Sequence, residues 1–149
     1  VKNNRSAVVI ARLEAEKEYH AGTKLGVHFP LHAGAAGKVL LAYSPRWERD
    51  KYFDSPLEVF NSATITLRGD LERELSGVRD KGYAEDRGET FEGILALGCP
   101  IFDHTGAAAA AISIAYLSTG NNERKKWEIL DPLSEYARKI SLALGHSPE

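Results

Sequence analysis

The chain has 149 residues, enough for one domain with one sizeable core, and carries 19 basic against 21 acidic side chains, a net charge of −2. So even a balance argues against a domain that grips nucleic acid by itself, which would show a basic surplus, and the single cysteine excludes an internal disulfide framework. No apolar run approaches the ~18 residues of a membrane span, and no secretory signal is visible. The chain has no methionine, even at position 1, so it reads as a piece of a longer protein.

Ser6 to Leu13 is short and rich in β-branched residues, which predicts a strand. Glu14 to Glu18 is charged and reads as a turn or a fraying helix. Gly22, Gly26 and Pro30 punctuate the next section, where Lys24 to Phe29 partly alternates and suits a second strand at an edge. Ala33 to Ala42 reads as a helix whose first turn is almost bare of side chains. Gly34, Ala35 and Ala36 there let a backbone approach closely, and free N–H groups at the positive end of a helix suit a carboxylate. The same small residues also permit tight helix-to-sheet packing with no ligand. Ser44-Pro45 predicts the cap and first position of a short helix, Arg46 to Phe53. Its Trp47, Tyr52 and Phe53 suit either a core or a partner surface.

Thr64-Ile65-Thr66 is an extended entry to a helix capped by Asp70, with Leu71, Leu75 and Val78 at i, i+4 and i+7 and a stop at Lys81-Gly82. Tyr83 to Arg87 is a candidate strand. Gly93 to Phe102 reads as a buried strand in which Pro100 marks an edge or a bulge. Asp103-His104-Thr105-Gly106 predicts a hairpin turn, and Ala107 to Tyr116 its partner strand. The alanines of that run favour helix by propensity, but Ile112-Ser113-Ile114-Ala115-Tyr116 and the turn decide for strand. Small side chains on it leave room over the sheet for a helix or a ligand. Asn122 starts the last helical region, which Asp131-Pro132 is expected to break or restart. Ile129, Leu133, Tyr136, Ile140 and Leu144 lie near one stripe, and Gly145 ends it. The sum is α+β.

Few residues suggest reaction chemistry. His32 and Lys38 flank the small-residue helix, and with a nearby acid they would permit acid–base catalysis. No Gly-x-Ser-x-Gly, P-loop or nucleotide fingerprint accompanies them, and Lys38 reads as a surface or capping residue. His20, His28, His32, His104 and His146 have no metal-ligand spacing, and Pro30 keeps His28 and His32 off a shared helix face. Cys99 reads as a small core residue. Glu123-Arg124-Lys125-Lys126, the one basic cluster, reads as a solvated helix start. No metal and no cofactor is expected.

Pro30-Leu31-His32-Ala33-Gly34-Ala35-Ala36-Gly37-Lys38-Val39-Leu40-Leu41-Ala42 resembles the effector-domain signature of the IclR family of bacterial transcription regulators. Further stretches follow in the family's order: Thr64-Ile65-Thr66 before Leu71; Gly82-Tyr83-Ala84 with Asp86; Glu89 with Gly93; and Pro100-Ile101-Phe102-Asp103 before the alanine run to Ser113. The resemblance extends from about Arg5 to Gly145. It implies a GAF-like or profilin-like antiparallel sheet flanked by helices, a single effector-binding domain over residues 1–149. Such domains follow a winged helix-turn-helix domain, which this chain does not resemble. The implied role is cytoplasmic and non-enzymatic: a homodimer or tetramer that senses a small organic acid and reaches operator DNA only through the N-terminal domain.

The resemblance also implies a site. The backbone N–H groups of Ala35 and Ala36 would anchor a ligand carboxylate, Asp86 and Ser113 would take its polar groups, and Phe29 would form an apolar wall. Asp86 also reads as a solvated strand-end acid beside Arg87, and Phe29 as core. Relatives carry a second serine at the position of Ala115, and those that bind very small keto acids carry a cysteine at that of Ala96. Both polar groups are replaced here by methyl groups, which implies an effector larger or more apolar than pyruvate or glyoxylate. Three rival readings stay open: a GAF-like sensor attached to another output, an oligomerisation module with a vestigial pocket, and a small enzyme.

Overall fold

The computed structural model describes residues 1–13, 23–118 and 121–147. The segment Glu14–Glu18, His20 and Gly22 lie outside the described residues. The chain opens with β1 (Lys2–Asn3), β2 (Ser6–Val8) and β3 (His28–Pro30), which form a three-stranded antiparallel sheet in that order. The strand expected over Ser6 to Leu13 is therefore shorter. Its pairing continues loosely through Val9, which donates to the Val27 carbonyl at 3.1 Å. The strand expected over Lys24 to Phe29 is confined to His28–Pro30, because Gly26, at φ +77°, turns the chain just before it.

Helices α1 (Ala35–Ala42), α2 (Arg46–Tyr52) and α3 (Arg68–Lys81) follow. Two expected caps are not used. Pro45 stands at the cap position of α2, while the Ser44 hydroxyl donates back to the Leu40 carbonyl at 2.8 Å and accepts from Lys2 Nζ. Helix α3 starts before Asp70, with Leu67 at its cap position, so Asp70 lies in the first turn and pairs with Arg73. A carboxylate in that turn still favours the helix dipole. Leu71, Leu75 and Val78 are buried as their spacing predicts, and Gly82 ends the helix in the left-handed region.

The second sheet is β4 (Ala84–Arg87), β5 (Ile94–Phe102) and β6 (Ala108–Leu117), antiparallel in that order. Strand β4 pairs only as far as Gly98, so at Pro100 strand β5 has a neighbour on one side alone. That is the setting a strand proline needs. The turn at Asp103 forms as expected, its carboxylate accepting from the Thr105 and Ala107 N–H groups.

Helix α4 (Asn122–Ala143) runs unbroken through Pro132, against the expected break. The ring removes a hydrogen bond to the carbonyl of Glu128, and both Glu128 and Pro132 lie on the exposed side of the helix. Leu130, Leu133 and Ala137 hold both sides of the proline to the sheet. The buried stripe runs through these residues and Ser141; Tyr136, Ile140 and Leu144 of the expected stripe are exposed. Both α1 and α4 pack on β5 and β6, with the β4–β5–β6 sheet between them.

Candidate functional site

Alternation along β5 divides its side chains between the two helices. Leu97, Cys99 and Ile101 join the α4 cluster, whereas Ala96 packs with Ala84 and Ala111 against Ala35 and Val39 of α1. Cys99 is a core residue there, as expected, with its thiol 3.5 Å from Ser134 Oγ. The α1 face is low in relief because its side chains are small. Directly opposed residues on neighbouring strands share a face, so Asp86, Ala96 and Ala115 form one row and Ala84, Gly98 and Ser113 the next. Gly98 lets the helix sit this close: a Cβ there would stand 3.0–3.1 Å from the carbonyl group and side chain of Ala35.

The helix start lies over this surface. Gly34 caps α1 at φ +81°, ψ 148°, a conformation that disfavours any side chain, so the helix begins at Ala35 rather than at Ala33. The first intrahelical donor is the Lys38 N–H, bonded to the Gly34 carbonyl at 3.1 Å. The N–H groups of Ala35, Ala36 and Gly37 precede it and have no place in the helical ladder. A Cβ built on Gly34 would stand 3.9 Å from both Asp86 Oδ2 and Thr90 Oγ1. The fold thus gathers Gly34, Ala35, Ala36, Asp86 and Ala96 around one end of α1, with Ser113 and Ala115 exposed on the strand beyond. Phe29 stands in the other sheet, opposite Ala7 and half-buried, outside these rows.

Asp86 is not a solvated strand-end acid. It is 8% exposed, and its Oδ1 accepts the Glu89 N–H at 2.7 Å. Burial pushes its carboxyl above the ordinary range, against the pull of that N–H, of the nearby Lys38 and of the Gly88 N–H. Arg87 turns away from it toward Glu74 and Glu85.

Lys38 differs most from expectation. It is fully buried, not a surface or capping residue, and its ammonium donates to Glu89 Oε1 at 2.5 Å, Glu74 Oε1 at 2.8 Å and the Glu85 carbonyl at 2.5 Å. These acceptors come from the turn after β4, from α3 and from β4, so one side chain ties α1 to all three. Burial alone would raise the Glu74 carboxyl, but Lys38 and Arg87 hold it below its ordinary value. Burial prevails at Glu89, whose carboxyl is raised and whose Oε2 is buried with no hydrogen-bond partner. The 61–64 turn clamps this segment: Asn61 Nδ2 donates to the Gly88 carbonyl at 2.8 Å and Thr64 Oγ1 to the Glu89 carbonyl at 2.7 Å.

His32 is a core brace. Its Nε2 donates to the Glu58 carbonyl (2.8 Å) and its Nδ1 accepts from the Tyr52 hydroxyl (2.9 Å), so both ring nitrogens are occupied. Burial lowers its pKa, which favours this neutral form. Tyr52 is buried with it, while Trp47 is exposed. In the basic cluster, Lys126 is not fully solvated but reaches Glu85 at 2.9 Å.

Two clefts lie elsewhere: one of ≈ 420 Å³ between α3 and β4, including Glu74 and Arg87, and one of ≈ 260 Å³ between Tyr43, Phe102 and His146. Asp86 and Ser113 line neither. Among the described residues no group of three or more His, Cys, Asp or Glu side chains is placed to hold a metal ion, and no helix is long and apolar enough to cross a membrane. Sequence reasoning missed Thr90, which carries no local signal, and the ionic partners of Lys38.

Comparison with known proteins bears on this arrangement. The family model described as bacterial transcriptional regulator IclR C-terminal matches residues 1–142. The HTH-type transcriptional regulator KdgR of Dickeya chrysanthemi is 34% identical over 144 residues, covering 95% of this chain and 47% of that protein. The HTH-type transcriptional repressor AllR of Klebsiella pneumoniae is 32% identical over 150 residues, covering 100% and 55%. The crystal structure of Thermotoga maritima IclR superposes with a TM-score of 0.90 at 36% identity, covering 97% of this chain and 59% of that one. The chain spans about half the length of the curated relatives it matches.

Proposed function

The chain belongs to the bacterial transcriptional regulator IclR C-terminal family, and on that premise we propose that it senses a small organic carboxylate at the open end of α1. The observation that carries this reading is the meeting of Gly34 with Asp86 Oδ2 and Thr90 Oγ1 beside unladdered helix N–H groups. Such a helix end binds carboxylates through its N–H groups and dipole. The ligand's anionic end meets Ala35 and Ala36, its polar groups meet Asp86 and Ser113, and its body lies over the methyl groups of Ala96 and Ala115. An apolar or aromatic body fits those methyl groups better than pyruvate or glyoxylate does. Phe29 is a more remote candidate for the wall.

Occupancy alters operator binding by an N-terminal winged helix-turn-helix domain in the whole protein, working as a dimer or tetramer in the cytoplasm. For that, the ligand must favour one arrangement of subunits over another. A thermal-shift screen against pyruvate, glyoxylate, sugar-derived keto acids and hydroxybenzoates tests the site. The expected result is a concentration-dependent rise in melting temperature with an acid larger than pyruvate, lost in Asp86→Ala and Ser113→Ala. A folded domain that no acid stabilises would instead favour an oligomerisation module with a vestigial pocket.

A further inference from the structure

The charges around Lys38 do not balance. Glu85 is paired with Lys126 of α4 at 2.9 Å, and these two neutralise each other. What remains is Lys38 from α1 and Arg87 from β4 against Glu74 from α3, Asp86 from β4 and Glu89 from the turn: two cations and three carboxyls. Glu74 lies between both cations, 2.8 Å from Lys38 and 3.5 Å from Arg87, and is the most exposed of the three. It keeps its charge. Asp86 and Glu89 are left with what Lys38 has to spare, and both are more than nine-tenths buried. Two buried carboxylates beside one shared cation cannot both ionise cheaply.

The hydrogen bonds agree with the count. Glu89 Oε1 is engaged by Lys38, yet Oε2 receives no donor. Asp86 Oδ1 accepts the Glu89 N–H and the carboxyl is also bonded by the Gly88 N–H, while Oδ2, the atom facing Gly34, is placed to carry a proton. We propose that Asp86 and Glu89 hold one proton between them, and that Asp86 Oδ2–H presents it to the anionic ligand at the end of α1. The inference rests on the sensor reading above. A carboxylate meeting an ionised Asp86 would be repelled; meeting a carboxylic acid, it accepts a hydrogen bond and no covalent bond changes. The site therefore selects anions that arrive without a proton, and its affinity for them falls as pH rises.

Carboxyl-detected NMR titration of the domain tests the shared proton without a ligand. One carboxyl of the pair is expected to titrate above the ordinary carboxylate range. In Glu89→Gln the Asp86 titration moves down, because Lys38 is then free to stabilise its charge. Both carboxyls titrating in the ordinary range or below would overturn the proposal. Stability gives a second reading. Acids raised in the folded state contribute stability that is present below their unfolded pKa and lost as pH rises through the folded one. The melting temperature of Asp86→Asn relative to the parent should therefore climb as pH rises out of the carboxylate range; a pH-independent difference would overturn the proposal.

The ligand arm uses benzoate and 3-hydroxybenzoate. Affinity for whichever binds is expected to weaken several-fold as pH rises out of the carboxylate range, and Asp86→Asn, whose amide donates at every pH, should flatten the dependence. An unchanged affinity overturns the presentation to an anion. No binding at any pH counts against the sensor reading and that step together, while the titration still decides the shared proton.

Discussion

The two faces of the β4–β5–β6 sheet are made by the same strands and differ in side-chain volume. Toward α4 stand Leu97, Cys99 and Ile101, packed on Leu130, Leu133 and Ala137. Toward α1 stand Ala84, Asp86, Ala96, Gly98, Ser113 and Ala115. Both faces carry a core: the first packs on α4, and the second joins the larger cluster with Val39, Leu71 and Leu75. The second also brings a helix end and a carboxyl close to the sheet. Because side chains alternate with period two, one strand can serve both purposes without compromise.

The sharpest way to break that division is Leu97→Ala. It opens a cavity in the α4 face and is expected to cost about 2–5 kcal/mol in urea unfolding; a loss below ~1 kcal/mol would mean that the α4 face contributes little. Gly98→Ala attacks the other face by adding one methyl group against the Ala35 backbone. Backbone cannot yield as a flexible side chain does, so a loss of about 1–3 kcal/mol is expected in the same assay, together with a changed response to carboxylates. The smallest effect belongs to the outer side of α4. Tyr136 is 58% exposed, and Tyr136→Ser should move stability by no more than ~0.5 kcal/mol. A larger loss that depends on protein concentration would show that this stripe is covered in an assembly.

Features set by neighbours in the chain were legible in the sequence. Leu71, Leu75 and Val78 give a helix face by spacing alone, Gly82 and Gly145 mark helix ends, and Asp103 to Gly106 gives a hairpin turn. The small residues from Ala33 to Gly37 were readable as a place of close approach, though not whether to a ligand or a sheet; the contact of Ala35 with Gly98 of β5 shows the sheet. Lys38 was misread because its carboxylate partners, Glu74 and Glu89, lie 36 and 51 residues away, beyond any local pattern. Pro132 was misread for a related reason: propensity counts the lost hydrogen bond, but the packing of Leu130, Leu133 and Ala137 outweighs it. The same limit applies to Asp86, whose burial depends on the turn folding back over it.

At eight residues, α1 is shorter than the ~12–15 that stand alone as a helix in water. Its partners β5 and β6 lie more than fifty residues further along the chain, joined by a hairpin that closes locally. The hairpin can form from its own turn, whereas α1 gains helical stability by packing on that hairpin, on β4 and on α3. The candidate ligand site thus takes its shape only when α1 is docked. A bound ligand would act as a clasp on that docked helix, protecting the amides of α1 from exchange more than those of the hairpin beneath.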